Sequence, residues 1–378
     1  MTLGKKSLTF PAQLPILVCV AILLLGVNTA EAQIRTVTVS PVPGNPIASG
    51  TALRNALAGI SAPSSTDRWL LKIEPGIYDI GTISLQMRSW VDIEGSGIGV
   101  TTVRGSVDAL ATNYQGTING ADNAELRLLT VEAQGSSSIA LANIAASPRL
   151  YRLKLVATAA NVWGIRNTNG SAPLIEECEV VATSTSTSGT FATGILFKGF
   201  PPAGKRSSIL RSTIVVSGAA TNYGVNMLNA QTVTLIRDSR MDVVGGTTTY
   251  GISAAPNGAW SGNESLQIRN TEISSVGGSS ASYGINILYL AWISFDINGS
   301  RIWGHVSPLS YGIVQGDQGP MGIQGSSVTG FTQTVQTAGS ISIASTLLQG
   351  GPATAQGWIG CMGVWDENAI FYAQGACP

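Results

Sequence analysis

The chain has 378 residues, with 21 basic and 21 acidic side chains, a single histidine and 11% charged residues. That balance leaves no basic surface for nucleic acid or an anionic membrane, and one imidazole with four cysteines offers little to metal or serine-triad chemistry. The 45 glycines, with Ser, Thr and Asn crowded between apolar pairs, suit many short strands closed by tight bends instead.

Residues 1–32 read as a secretory signal. Lys5 and Lys6 lead, Leu14 to Val27 is apolar, and Ala30-Glu31-Ala32 supplies a small-x-small cleavage pattern. The apolar run falls short of the ~20 residues that span a bilayer. Cleavage is therefore predicted, with no membrane span afterwards and a destination outside the cell or at its surface, including periplasm or outer membrane. Residues 33–69 read as an N-terminal cap, in which Gly50–Ile60 places Leu53, Leu57 and Ile60 on one helical face.

Residues 70–350 carry a repeat. A six-residue frame, apolar-x-x-small-x-apolar, recurs from Ile93–Ile98 through Ile175–Val180, Ile209–Ile214 and Ile268–Ile273 to Ile343–Leu348, at a mean period of about 27 residues. Apolar residues five apart break the period of two of a straight strand. A bend at the third position restores it, and Gly95, Asp238, Asn270, Gly299 and Gly325 there tolerate turn conformations. A second motif, aromatic or Thr-Gly-apolar, keeps step at Trp163-Gly164-Ile165, Thr193-Gly194-Ile195, Tyr223-Gly224-Val225, Tyr250-Gly251-Ile252, Tyr283-Gly284-Ile285 and Tyr311-Gly312-Ile313. Three strand pieces per repeat describe a coil, not a propeller blade.

The frame, the aromatic-Gly-apolar strand and the opening Leu71-Lys72-Ile73-Glu74-Pro75-Gly76-Ile77-Tyr78 resemble the right-handed parallel β-helix, or pectin-lyase-like, superfamily. The tail Cys361-Met362-Gly363-Val364-Trp365-Asp366 is similar to an ending seen on exported bacterial β-helix proteins. The resemblance implies an all-β, single-domain solenoid of about ten stacked coils, in a superfamily where pectin-degrading enzymes sit beside non-catalytic adhesins. Its polygalacturonase, pectate lyase and pectinesterase motifs cannot be placed on this chain, so no catalytic residue is carried over.

Residues 351–378 read as a C-terminal cap, closed by pairing of Cys361 with Cys377 in an exported protein. Cys178 stands at the fourth frame position with Leu129, Leu153, Ser212, Ser239, Thr271, Ser300, Ser326 and Thr346, and is expected to be a packed member of an inward column. Hydrolysis of a glycan needs two carboxyls across a cleft. Glu177 and Asp238 are the weak candidates. Lys154 with Glu179, and Arg240 with Glu272 and Arg301, are expected to pair between coils. By strict alternation, Trp163, Tyr223, Tyr250, Tyr283 and Tyr311 should share the interior face with the residue two positions on and stack inside the rod. His305 should be a surface residue at a corner, and Gly316–Gly325 a coil with a glycine-rich turn. The loops holding Phe200 and Trp260 are left as the candidate ligand-binding surface.

The expectation for function is an exported, non-catalytic scaffold for adhesion, envelope structure or glycan binding, with a polysaccharide or envelope component as partner. No cofactor, metal or nucleic acid is expected. The alternative is a lyase, hydrolase or esterase on pectin-like uronate polymers, whose catalytic set has diverged beyond recognition.

Overall fold

From Ile175 onward each frame folds as two short strands around one left-handed residue, whereas in the first, Ile93–Ile98, the second strand begins only at Thr101 and Ile98 is 43% exposed. In the coil from Leu174 the strands Leu174–Glu176 and Glu179–Ser184 flank Glu177, whose φ is +53°. Ile175 and Val180, the apolar ends of the frame, are both fully buried. The same corner recurs at Leu128, Arg152, Arg211, Asp238, Asn270, Gly299, Gly325 and Ser345, with φ between +47° and +60°. A left-handed non-glycine residue costs roughly 1–2 kcal/mol. Stacking offsets this: the N–H of Glu177 donates to Leu210 O (3.0 Å), that of Asp238 to Arg269 O (3.0 Å) and that of Asn270 to Asn298 O (2.9 Å), each reaching the next coil.

The computed structural model describes residues 33–200, 202, 204–228, 233–255, 265–288, 294–316, 319–374 and 377–378. The expected signal segment and Trp260 lie outside them. Strands before the corner form a first stack, strands after it a second, and the aromatic-glycine strands a third, which is a sheet of eleven parallel strands. Register is kept coil to coil, with Leu150, Ile175, Ile209, Ile236, Ile268, Ile297, Ile323 and Ile343 in one column. All of these are at most 1% exposed, so each coil's apolar layer is roofed by the next.

The fourth frame position is an internal hydroxyl ladder. Ser212 Oγ accepts from the Cys178 N–H (3.1 Å) and donates to Leu210 O (2.8 Å), and Ser239, Ser300 and Ser326 repeat the pattern up the rod. Cys178 opens this ladder where Leu129 and Leu153 end the apolar part of the column. Its thiol is 2% exposed and lies 3.3 Å from Glu176 O. Burial pushes the thiol pKa up to about 12.

Both ends are closed. At the N-terminal end the strand Gln33–Val39 pairs in parallel with Asp67–Ile73. It leads into helix α1, Pro46–Gly59, which buries Leu53 and Leu57. The helix begins four residues before the apolar periodicity indicates, because Asn45 Oδ1 accepts from the Ala48 N–H (3.0 Å) and Pro46 opens the first turn. Tyr78 of the opening motif is fully buried, its Oη 3.0 Å from the carbonyls of Val39 and Glu74. At the other end Ile359–Trp365 turns back as Phe371–Gln374, the one antiparallel pairing among the described strands. Asp366 holds the turn by accepting from the N–H groups of Asn368 (2.9 Å) and Ile370 (2.8 Å), and the Cys361–Cys377 disulfide ties the tail (Cα–Cα 5.5 Å). The hairpin and the disulfide cap the last coil of the first two stacks at this end.

Two expectations need correction. The tyrosine column lies outside the rod, for a reason given below. Of the expected ion pairs, Lys154–Glu179 forms (2.9 Å), but Arg240 turns to Asp242 on its own strand (2.7 Å). Glu272 is in register between Arg240 and Arg301 yet pairs with neither. The nearer carboxylate two residues along the same strand face wins over the one on the next coil.

Candidate functional site

The third stack carries two outward columns separated by an inward one. The inward column is Ile165, Ile195, Val225, Ile252, Ile285 and Ile313, all fully buried. The residues two before them would face inward too if the strands alternated. They do not, because the intervening glycines also take an inward position. A Cβ on Gly251 would sit 2.2 Å from Ile273 Cγ2 and 2.5 Å from Gly284 O, and one on Gly194 2.3 Å from Ile214 Cγ2. Without side chains the glycines let two successive positions face in, which turns the preceding ring out.

Tyr223, Tyr250, Tyr283 and Tyr311 therefore stack on the outside, half-buried, with successive ring centroids 5.0 Å apart and planes 4–7° off parallel. The spacing is that of the coils, about 4.8 Å. Burial pushes the Tyr250 hydroxyl up to about 12, with the flanking tyrosines adding to it. One coil earlier Thr193 takes the place of a ring, and beyond it Trp163 packs edge-on against Phe191 (4.9 Å).

The second outward column runs Arg166, Leu196, Asn226, Ser253, Asn286, Val314 and Gln336. Asn226 and Asn286 are buried, and among the described residues the enclosed Oδ1 of each has no hydrogen-bond partner. Such acceptors are costly unless something donates to them. None of the eleven strands of this stack contains Asp or Glu, and their charges are Arg166 and Lys198.

Arg166 is 8% exposed, and its Nε has no partner. Among the described residues no carboxylate pairs with it. Its guanidinium lies over the Tyr114 ring, 4.0 Å from the centroid, and burial lowers its pKa while Tyr114 acts in the opposite sense. Tyr114 arrives on the loop that follows the strand Thr101–Gly105. Both Asn113 (φ +55°) and Tyr114 (φ +64°) are left-handed, and the ring meets Trp163 edge-on at 5.9 Å. Two adjoining cavities, of about 380 Å³ and about 510 Å³, share Tyr114, Arg166 and Lys198 in their walls. Phe200 lines the smaller, and Trp163, Phe191, Tyr223 and Asn226 the larger.

Solved structures superpose on this chain over most of its length. The catalytic domain of Agl-KA superposes with a TM-score of 0.53 at 12% identity, over 85% of this chain and 67% of that one. The A-module of the Azotobacter vinelandii mannuronan C-5 epimerase AlgE4 gives a TM-score of 0.49 at 13% identity, over 86% and 89%. Tailspike protein 3 of bacteriophage CBA120 gives 0.46 at 14%, over 87% and 56%. The chain has the right-handed parallel β-helix fold. No family model and no curated protein matches it.

On this β-helix the two carboxylate candidates stand at the corner between the first and second stacks, away from the aromatic face. Glu177 Oε2 accepts from Arg152 Nε (2.6 Å) and Oε1 from Arg211 Nε (3.2 Å). Asp238 pairs with Arg237 (3.2 Å) and accepts from Asn270 Nδ2 (3.2 Å). Glu177 and Asp238 occupy the same left-handed column with Arg211 between them. Glu176 and Glu177 end a continuous ion-pair chain through Lys72, Glu94, Arg127, Glu125, Arg149 and Arg211. Hydrogen bonds from Arg149 and Arg152, the largest influence on each, hold Glu176 and Glu177 below the usual carboxylate range. A general acid needs a raised pKa, and the shift on these two side chains runs the other way. His305, half-buried at a strand end, packs on Phe331 with centroids 4.8 Å apart.

Of the ligand-binding candidates, Phe200 is 51% exposed at the rim of the smaller cavity. Sequence reasoning missed Arg166, Lys198, Tyr114, Asn226 and Asn286. The step of the tyrosines with the coils was visible, but not the side on which they stand.

Proposed function

We propose that the protein is an exported β-helix that binds a polysaccharide along the outer face of its third stack and leaves the chain intact. The observation that carries this reading is the composition of that face. A column of half-buried aromatic rings runs beside a column with unpartnered amide oxygens, in strands without a carboxylate. Aromatic rings offer apolar surface to sugar C–H faces, and the side-chain amides of Asn226 and Asn286 stand beside them as hydrogen-bonding groups. A solenoid repeats both elements at one step per coil, which suits a polymer of repeating units. Two-carboxylate hydrolysis has no pair to use in these strands, and the two carboxylate candidates, Glu177 and Asp238, are each paired with arginine. Export rests on the N-terminal signal pattern and on a disulfide that persists outside reducing compartments.

The test is a glycan array on residues 33–378 combined with a reducing-end assay on the polymers retained. Binding without new reducing ends, weakened about tenfold by Tyr223→Ala, supports the reading. New chain ends, or affinity unchanged in Tyr223→Ala, contradict it.

A further inference from the structure

The face is not uniform along its length. Toward its N-terminal end the tyrosine ladder stops at Tyr223, and the loop carrying Tyr114 folds over the strands at Trp163 and Arg166. Arg166 is the feature that the fold does not explain. An arginine more than nine-tenths buried is ordinarily matched by a carboxylate or by several carbonyls, and the corner of the first and second stacks matches its own arginines in that way. Arg166 has a ring face and an unpartnered Nε. The Tyr114 ring orients the planar guanidinium and supplies quadrupole attraction, but it supplies no acceptor.

The surroundings argue against a packing role alone. Arg166 lines both cavities, its Nε is enclosed, and among the described residues no carboxylate reaches its guanidinium. Lys198 stands exposed on the adjacent coil: it follows Leu196, which is in register with Arg166, by two positions. No strand of this stack carries an acid, and among the described residues no carboxylate pairs with either cation. The backbone strain at Asn113 and Tyr114 is spent on holding the ring against Arg166 and Trp163.

We propose that Arg166 and Lys198, with Tyr114 as the wall, form a subsite for an anionic group carried on a sugar ring, so that the glycan bound by the third stack is an acidic one. The anion takes hydrogen bonds from the guanidinium and from Lys198 Nζ, while its ring lies in the larger cavity between Trp163 and Tyr223. Carboxylate and sulfate half-ester satisfy the same donors, and planar carboxylate matches the guanidinium fork in two-pronged fashion. The proposal rests on the glycan-binding reading and sharpens it to a substrate class.

The experiment measures binding of polygalacturonate, dextran sulfate and neutral dextran to the wild-type protein, Arg166→Gln and Lys198→Ala, at low and high salt. The expected result is salt-sensitive binding of one or both anionic polymers. Arg166→Gln should lower it about tenfold or more, and Lys198→Ala by a smaller factor, with neutral-polymer binding unaltered. The stronger of the two anionic polymers identifies the group. Lys198 is exposed, so its variant keeps the test decisive should Arg166→Gln fail to fold. Unchanged anionic binding in Lys198→Ala together with a folded Arg166→Gln overturns the subsite and leaves the glycan face standing. Equal binding of neutral and anionic polymers does the same. Failure of every polymer to bind overturns both.

Discussion

Tyr223 and Tyr250 stack with their ring centroids 5.0 Å apart and their planes 6° off parallel, on the outer surface of the rod, because each is followed by a glycine whose missing side chain faces in. A column that a simple alternation assigns to the core is thereby turned to the solvent. Two consequences follow, one for stability and one for binding.

Gly251→Ala should be costly. Its new Cβ meets Ile273 Cγ2 at 2.2 Å and the Gly284 carbonyl oxygen at 2.5 Å, and a backbone atom on the next coil cannot step aside. We expect a loss of about 3 kcal/mol, read as a lowered urea midpoint. Gly59→Ala is the control, because nothing lies within 4 Å of the point where its Cβ would stand, and it should be neutral or slightly stabilising. Equal midpoints for the two variants would show that the glycines are not what turns the rings outward.

Cys178 should be inert to thiol reagents in the folded protein. With its pKa pushed up to about 12 and 2% exposure, it offers no accessible thiolate at neutral or mildly alkaline pH. Labelling is expected only after denaturation. Cys178→Ser should cost no more than about 1 kcal/mol, because a hydroxyl there can donate to Glu176 O as Ser212 does to Leu210 O. Rapid labelling of the native protein contradicts the packed assignment.

The ion-pair chain at the corner predicts a specific acid response. Glu176 and Glu177 have folded-state pKa values below their ordinary 4.5, chiefly through Arg149 and Arg152 respectively. A depressed carboxylate contributes stability that is complete above the ordinary value and is lost as pH falls toward the folded one. The melting temperature should therefore drop as pH is lowered from about 5 toward 3. Glu176→Gln should flatten that fall, and high salt should shrink the difference. Identical pH profiles for the variant and the wild type would mean that the chain contributes nothing.

Legibility of the sequence followed the rigidity of each constraint. The frame from Ile175 to Val180 could be read because every coil needs an apolar residue on each side of a left-handed corner, and this repeats from coil to coil. The start of helix α1 was missed because it depends on a cap, Asn45 with Pro46, and not on apolar spacing. The side of the tyrosine column was misread because Gly224 and its equivalents break alternation, which no pattern of side chains records. Arg166 was not visible at all. Its burial and its lack of a counter-ion arise from a loop far upstream, and only the folded chain brings Tyr114 over it. Glu177 and Asp238 drew notice as clustered carboxylates, and the corner sets each beside arginine: Glu177 by Arg152 and Arg211, Asp238 by Arg237.

The central claim is that the third stack is the binding face. The most direct measurement is covalent footprinting of the protein with and without the tightest glycan of the array, read residue by residue. The account predicts protection of Tyr223, Tyr250, Tyr283 and Lys198, with Trp69 and Tyr151 on the first stack unchanged. Protection on the first or second stack with the tyrosine column still fully reactive would contradict it.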